Sequence, residues 1–421
     1  MEELLHYVWW HKLFPLSPLK TVDGRTLEVI DAGLPNMNAG PDFFNAKIKI
    51  DGILWVGNVE IHLQSTDWIK HHHDTDTAYD SVILHVVGEV NDVTVRTDGE
   101  MISQFRLVVP DSVKEHYQEL LSTAHYPPCY RVIPQLSRLE IHSWMSVLQA
   151  ERFEQKTEQV KERLKFCNQQ WDDAFFMTMA RNFGFGLNGD AFEVWARHLN
   201  LRNVDKHRDH LFQVEAIFFG QAGLLAAEEG DEYYQKLRKE YLYLAHKFEL
   251  RPMDAGQWRF LRLRPSNFPH VRIAQLSKLY HSHYGLLSRV LEKETLQEVR
   301  DLLRVDTSAY WETHYTFGGV SPKRCKTLSL ATLNLLIINT VVTFLYAYGK
   351  HKDNWIYCER ATRFLEELKP ENNYIIRMWK ECGLEAEHAG DSQALIQLKK
   401  MYCDPKKCLY CRIGYVYLKA K

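Results

Sequence analysis

The spacing of apolar residues changes along the chain. Up to about residue 110, after one opening helix, apolar and polar side chains mostly alternate, as in half-buried strands. From about residue 135 apolar residues recur every three or four positions, the period of helices. The segment 2–14 carries Leu4, Leu5, Val8 and Trp9 at helical spacing, with Pro15 and Pro18 to end it. Strands are predicted at 26–30, 44–50 and 53–64, with a Gly/Pro/Asn-rich loop at 31–41 and the hairpin signal Asp51-Gly52 joining the last two. Ser65-Thr66-Asp67 can cap a short helix or turn through His71 to Tyr79. A buried strand at 82–87 and weaker ones at 92–97 and 104–108 follow.

Beyond Tyr126-Pro127-Pro128-Cys129, a long helix is predicted over 137–166, with Trp144, Leu148, Phe153 and Val160 on or near one face. Others are read at 171–184, 189–199, 209–227, 231–248, 270–283, 295–304, 327–348, 354–368, 371–381 and 391–402. No internal repeat is visible. The pattern therefore predicts an α/β or α+β domain with a central mixed sheet over 1–125, then a mainly α-helical domain over 126–421 with a cysteine-rich end.

Composition refines this only a little. A chain of 421 residues exceeds one typical core, and 45% hydrophobic with 25% charged residues is ordinary for a soluble globular protein. The formal net charge of -2 provides no overall cationic field, so a nucleic-acid partner has to be held by local basic patches. Two stand out, 251–278 and 399–421; the plainer alternative is that their Lys and Arg solvate helix faces. The start, Met1-Glu2-Glu3-Leu4-Leu5-His6, lacks the features of a secretory signal, and a cytoplasmic location is expected. The most apolar stretch, 328–348, contains Thr332, Asn334, Asn339 and Thr340 and suits a core helix better than a membrane span. No particular protein partner is indicated.

The strand at 53–64 carries the most informative chemistry. Its alternation puts Asn58, Glu60, His62 and Gln64 on one face and Val59, Ile61 and Leu63 on the other. Flanked by a hairpin partner and by the apolar strand 82–87, that polar row is expected to line a cleft, because buried carboxylates are costly unless paired or metal-bound. Asp42, after Gly40-Pro41, can lie beside Glu60, and the two carboxylates can share Mg²⁺ or Mn²⁺ while leaving water positions open. Next comes His71-His72-His73-Asp74-Thr75-Asp76. Helical neighbours diverge by about 100°, so His71 and His73 converge only on an extended segment. With His62 they would then form a transition-metal site; otherwise they line the cleft entrance.

The order of helix, strand, Asp-bearing strand, Glu-bearing strand, helix and strand resembles the PD-(D/E)xK nuclease superfamily. Pro41-Asp42 looks like its first motif and Glu60-Ile61-His62 its second, with Gln64 at a further polar position and Glu3 as a candidate accessory acid. The resemblance implies a restriction-endonuclease-like fold and metal-dependent phosphodiester hydrolysis. Asp42 and Glu60 would hold the ion, His62 would position or activate water, and Asn58 and Gln64 would orient the site. His62 stands where that superfamily has lysine, and imidazole is largely neutral at cellular pH. Over nearly its full length the chain is also similar to a bacterial family described as domain of unknown function 2851. Gly40-Pro41-Asp42-Phe43, Gly57-Asn58-Val59-Glu60-Ile61-His62, Asp67-Trp68 with His71, His73 and Tyr79, the 264–272 segment and the cysteine-rich end carry that similarity.

Two further clusters are candidates. Cys403, Cys408 and Cys411, with Cys382 as the fourth ligand and His388 as its rival, suit zinc or an iron–sulfur cluster with a structural role in the helical domain. The alternative is a set of reduced thiols on a helical turn. Arg262, Arg264 and Arg272 around Pro265-Ser266-Asn267 could grip phosphate, or the loop is simply a helix entry capped by Asn267. The leading expectation is a metal-dependent nuclease. Its alternatives are a non-catalytic interaction or scaffold protein and a histidine-dependent metal hydrolase of a small substrate.

Overall fold

The 53–64 alternation becomes the longest strand of a seven-stranded sheet in the computed structural model, which describes residues 1–14, 18–36 and 38–420. The strands are β1 (Leu19–Lys20), β2 (Thr26–Asp31), β3 (Leu34–Pro35), β4 (Phe43–Ile50), β5 (Ile53–Gln64), β6 (Val82–Glu89) and β7 (Gln104–Arg106). Their spatial order is β1-β2-β4-β5-β6-β7, with β3 beside β4. The first half is an antiparallel meander, whereas β5, β6 and β7 run parallel. Asp51 and Gly52 both adopt positive φ, as a two-residue hairpin requires, and close β4 onto β5. A parallel β5–β6 pair needs a crossover, supplied by residues 65–81 with the short helix α2 (Asp67–Lys70).

Burial explains the arrangement. Val82, Leu84, Val86 and Val87 are fully buried in β6, as a run that is apolar except for His85 predicts. Helix α1 (Glu2–Trp10) buries Leu4, Leu5, Tyr7, Val8 and Trp9, and the Trp9 indole donates to the Ala32 carbonyl at 3.0 Å. It stops before Phe14; Pro15, expected to end it, lies outside the described residues. Residues 92–97 form no strand, only the bridge Val95–Met101, while helix α3 (Asp111–Ser122) was not foreseen.

The chain divides into two units. The first contains residues 1–141, 382–384 and 398–421; the second contains 142–381 and 385–397. The division lies beyond residue 125, and the cysteine-rich end clusters with the sheet rather than with the helices. Contacts within the first unit give the reason. Tyr417 Oη donates to Glu119 of α3 at 2.7 Å, Lys406 Nζ donates to the Leu121 carbonyl at 2.6 Å, and the Tyr415 ring packs against Tyr7 and His11. The second unit is helical around an aromatic core that includes Trp195, Phe218, Phe219, Trp311 and Phe344. One of its helices, Leu330–His351, is long and apolar enough to cross a membrane, and 61% of its most apolar window is buried.

Candidate metal centre

Glu60 and His62 are two positions apart on β5 and therefore share a face, where both are buried (5% and 2% exposed). Asp42 immediately precedes β4 and lies opposite them. The Asp42 N–H donates to Glu60 Oε2 at 3.0 Å, and the Ile61 N–H donates to Asp42 Oδ2 at 2.9 Å. This reciprocal pair fixes the start of β4 against β5. His6 of α1 brings Nε2 to 3.4 Å from Asp42 Oδ2. Burial pushes both carboxyl pKa values up, and for Glu60 the neighbouring Asp42 adds to the rise, while imidazoles oppose it.

The histidines converge by a different route from an extended segment. Helix α2 ends at Lys70 with His71 as its C-cap, and His72 takes φ of +62°, which turns the chain so that the rings on either side of it face one centre. His71 Nδ1 lies 3.1 Å from His62 Nε2, and His73 Nε2 lies 3.3 Å from Glu60 Oε1. His62 Nε2 is 3.5 Å from the same carboxylate oxygen. Ligand atoms of His62, His71 and His73 all fall within 4.8 Å of one another. Bonds of about 2.0–2.1 Å at tetrahedral angles place donors about 3.3–3.4 Å apart, so the 3.1, 3.3 and 3.5 Å spacings fit the edges of a zinc-type polyhedron, while the three imidazoles as a set are held only within 4.8 Å. His71 is exposed and marks the open side, whereas His73 is buried and stacked on Tyr79 at 3.7 Å between ring centroids.

Behind His62 runs a chain of polar groups in the sheet. His62 Nδ1 is 2.9 Å from His85 Nε2, His85 Nδ1 is 2.7 Å from Thr94 Oγ1, and Gln104 Nε2 donates to that hydroxyl oxygen at 2.6 Å. Burial, reinforced by neighbouring imidazoles, lowers the pKa of both His62 and His85 to about 3, so both rings are neutral at physiological pH. If His62 Nδ1–H donates to His85 and His85 Nδ1–H to Thr94, the Nε2 lone pair of His62 is freed toward the cluster. Histidine ligands of metals are commonly oriented by such an outer hydrogen bond.

Other expected residues lie apart from this cluster. Asn58 accepts from the Asn45 N–H at 3.2 Å and donates to Ser81 Oγ at 2.8 Å, while Gln64 donates to Glu89 at 3.4 Å. Their amides thus serve strand pairing rather than the carboxylates. Arg272 is buried, donates to Gln275 and Asn267 at 2.8 and 2.6 Å, and stacks over Phe185 at 4.4 Å. Burial lowers its pKa to about 10. Its guanidinium braces the helix entry from within, while Arg262 and Arg264 are exposed. Sequence reading missed His6, Thr94 and Gln104. His85 had a signal, a lone imidazole inside an otherwise apolar strand.

A mixed sheet bearing a histidine–carboxylate cluster, followed by a helical unit, is the class of molecule these features define. The chain belongs to the family described as protein of unknown function (DUF2851), which matches residues 2–374. That match ends before Cys382. No curated protein and no solved structure matches the chain.

Proposed function

We propose that the first unit is a transition-metal-dependent hydrolase of phosphodiester bonds, with His62, His71, His73 and Glu60 as ligands of the ion. The observation that carries this reading is the convergence of three imidazole nitrogens within 4.8 Å of one another, two of them also 3.3–3.5 Å from Glu60 Oε1. Imidazole donors favour Zn²⁺ over Mg²⁺ and Mn²⁺, which prefer oxygen ligands. When bound, such an ion supplies Lewis-acid polarisation of a phosphoryl oxygen. Asp42, whose side chain is 25% exposed and whose pKa is raised by burial, takes the proton of the attacking water. His85 and Thr94 hold the tautomer of His62. The phosphodiester class rests on the order α1, β2, β4, β5, α2, β6 with Asp42 at the entry to β4 beside Glu60 on β5, which parallels the nuclease core described above.

One observation favours a second reading. Each carboxylate already accepts a backbone N–H of the opposite strand, so the pair also works as a latch with no catalytic role. Calorimetric titration of metal-free protein with Zn²⁺ and Mn²⁺, together with cleavage of labelled single- and double-stranded DNA and RNA, separates the two. The hydrolase reading expects one ion at this site, lost in His71→Ala together with cleavage. Because His71 is exposed, its removal leaves the fold intact. Metal affinity unchanged in His71→Ala, or no cleavage of any substrate by the wild type, leaves only the latch.

A further inference from the structure

The hairpin of β4 and β5 carries an exposed apolar stretch. Ile53, Leu54, Trp55 and Val56 are 64%, 55%, 43% and 58% exposed, although four consecutive large apolar residues are the composition of a strand buried on both faces. Strand pairing gives the reason. β6 reaches β5 only from Asn58 onward, so residues 53–57 pair with β4 on one side and stand at a free edge on the other.

The ladder decides which backbone groups face that edge. In a two-residue hairpin the residues flanking the turn, here Ile50 and Ile53, exchange both hydrogen bonds, and the pattern alternates along the strand from there. Ile53 and Trp55 therefore direct their amides and carbonyls at β4, whereas those of Leu54 and Val56 point away from it. Asn58 fixes the phase, since its N–H, next in the outward series, donates to the Ser81 carbonyl at 3.0 Å. Among the described residues the outward groups of Leu54 and Val56 take no partner. Edges of this kind are templates for a further strand, and chains usually guard them with brevity, lysine or proline. The outermost strands β1 and β7 are two and three residues long, and β3 contains Pro35. Residues 53–56 carry none of these guards.

The geometry points to a second copy of this chain as the occupant: β5 of each copy adds to the other, antiparallel, about a two-fold axis at Trp55. This centre pairs Leu54 with the partner's Val56 and Val56 with the partner's Leu54, so every outward amide and carbonyl of both residues is used. A centre at Val56 would set Leu54 against the partner's Asn58, whose N–H is already bound, and one at Leu54 would set Val56 against the hairpin turn. With Trp55 at the centre, Ile53 lies opposite the partner's Gly57, which has no side chain to oppose it. Charge does not resist the pairing. In the row formed by Lys49, Leu54, the partner's Val56 and the partner's Lys47, the lysines are three strand spacings apart, about 14 Å, beyond the ~8 Å screening length at physiological salt. Area sets the strength. The four side chains offer on the order of 100 Å² each, so the two copies cover roughly 800 Å² before the paired backbone is counted, below the ~1,200–2,000 Å² of stable interfaces. The dimer is accordingly a transient one with a micromolar dissociation constant, and it does not depend on the hydrolase reading.

Sedimentation velocity of the full-length protein in reducing buffer, across a concentration series spanning the micromolar range, tests this. A reversible monomer–dimer equilibrium is expected. It should weaken roughly tenfold or more in Val56→Lys, which puts a charge on the seam, and in Val56→Pro, which removes an outward N–H while leaving the β4 ladder complete. Val56 is exposed, so the lysine variant keeps the fold. Register is read separately, in a Cys325→Ser background that removes the exposed native thiol. On mild oxidation Trp55→Cys should crosslink two copies, because opposed residues at a non-hydrogen-bonded position bring their Cα atoms to about 4.5 Å. Ile53→Cys should not, since its counterpart lies about 14 Å away. A protein that stays monomeric throughout the series leaves the edge to a foreign strand and overturns the proposal. A dimer indifferent to Val56→Lys, or crosslinking through Ile53→Cys instead of Trp55→Cys, overturns it as well.

Discussion

Glu215 lies in the helical unit with 1% of its surface exposed and accepts hydrogen bonds from Tyr233 Oη and, at 2.8 Å, Ser308 Oγ. Burial outweighs those bonds and raises its pKa to about 7. The folded pKa lies above the unfolded one, so the stabilising contribution is complete below about pH 4.5 and is lost as pH rises through about 7. Glu215→Gln should flatten this dependence: the wild type should lose about 3 kcal/mol relative to the variant between pH 4.5 and 8 in urea unfolding. Equal slopes for the two proteins would contradict that. His85 supports the metal centre in a comparable way, through a buried partner. His85→Phe keeps an aromatic ring but leaves His62 Nδ1 without its partner, and should weaken Zn²⁺ binding by about 10–100-fold. Calorimetry checks this, and undiminished affinity would remove His85 from the site. Glu60, His62 and Asp42 were legible in the sequence because alternation assigns a face. The coupling through His85 was not, since register between parallel strands is fixed by tertiary pairing.

At the level of elements, strands were easier to read than their spacing. The β4–β5 hairpin, its Asp51-Gly52 turn and the apolar β6 all follow from local pattern. Helix α3 escaped notice because only Val113 and Leu120 are buried along its length, too few to write a stripe. The route by which His71 and His73 converge escaped for another reason. It depends on the positive φ of His72, which no side-chain period encodes. The close approach of β5 to β6 rests on Gly57, where an added Cβ would lie 2.4 Å from Ile83 Cγ2 and 2.9 Å from the Ser81 carbonyl oxygen. The Ile83 side chain can move, but the carbonyl belongs to the backbone. Gly57→Ala should therefore cost about 1–3 kcal/mol and displace Asn58, two positions ahead of Glu60 on β5, from Ser81. Chemical denaturation together with Zn²⁺ affinity tests this. A variant as stable as wild type would show that the strands can separate at no cost.

At the level of the whole chain, the N-terminal unit is not continuous in sequence, and that changes what truncation does. A boundary drawn from periodicity alone assigns everything after residue 125 to one helical domain, because the last residues are helical too. The sheet-bearing unit nevertheless recruits residues 398–421, through Tyr417 on Glu119, Tyr415 on Tyr7 and His11, and the buried side chains of Leu409, Cys411, Ile413 and Leu418. Composition could not reveal this, since an apolar helix face does not name the surface it covers. A chain ending at Gln397 retains all seven strands and every residue of the histidine cluster. It loses the burial of four large aliphatic side chains, Leu398, Leu409, Ile413 and Leu418, each worth about 1.5–3 kcal/mol when fully buried. Hydrogen exchange should accordingly accelerate across α1 and α3, which contact the missing segment, while the core helices of 142–381 keep their protection. Unchanged protection in α1 and α3 would mean that the C-terminal segment rests on the first unit without stabilising it.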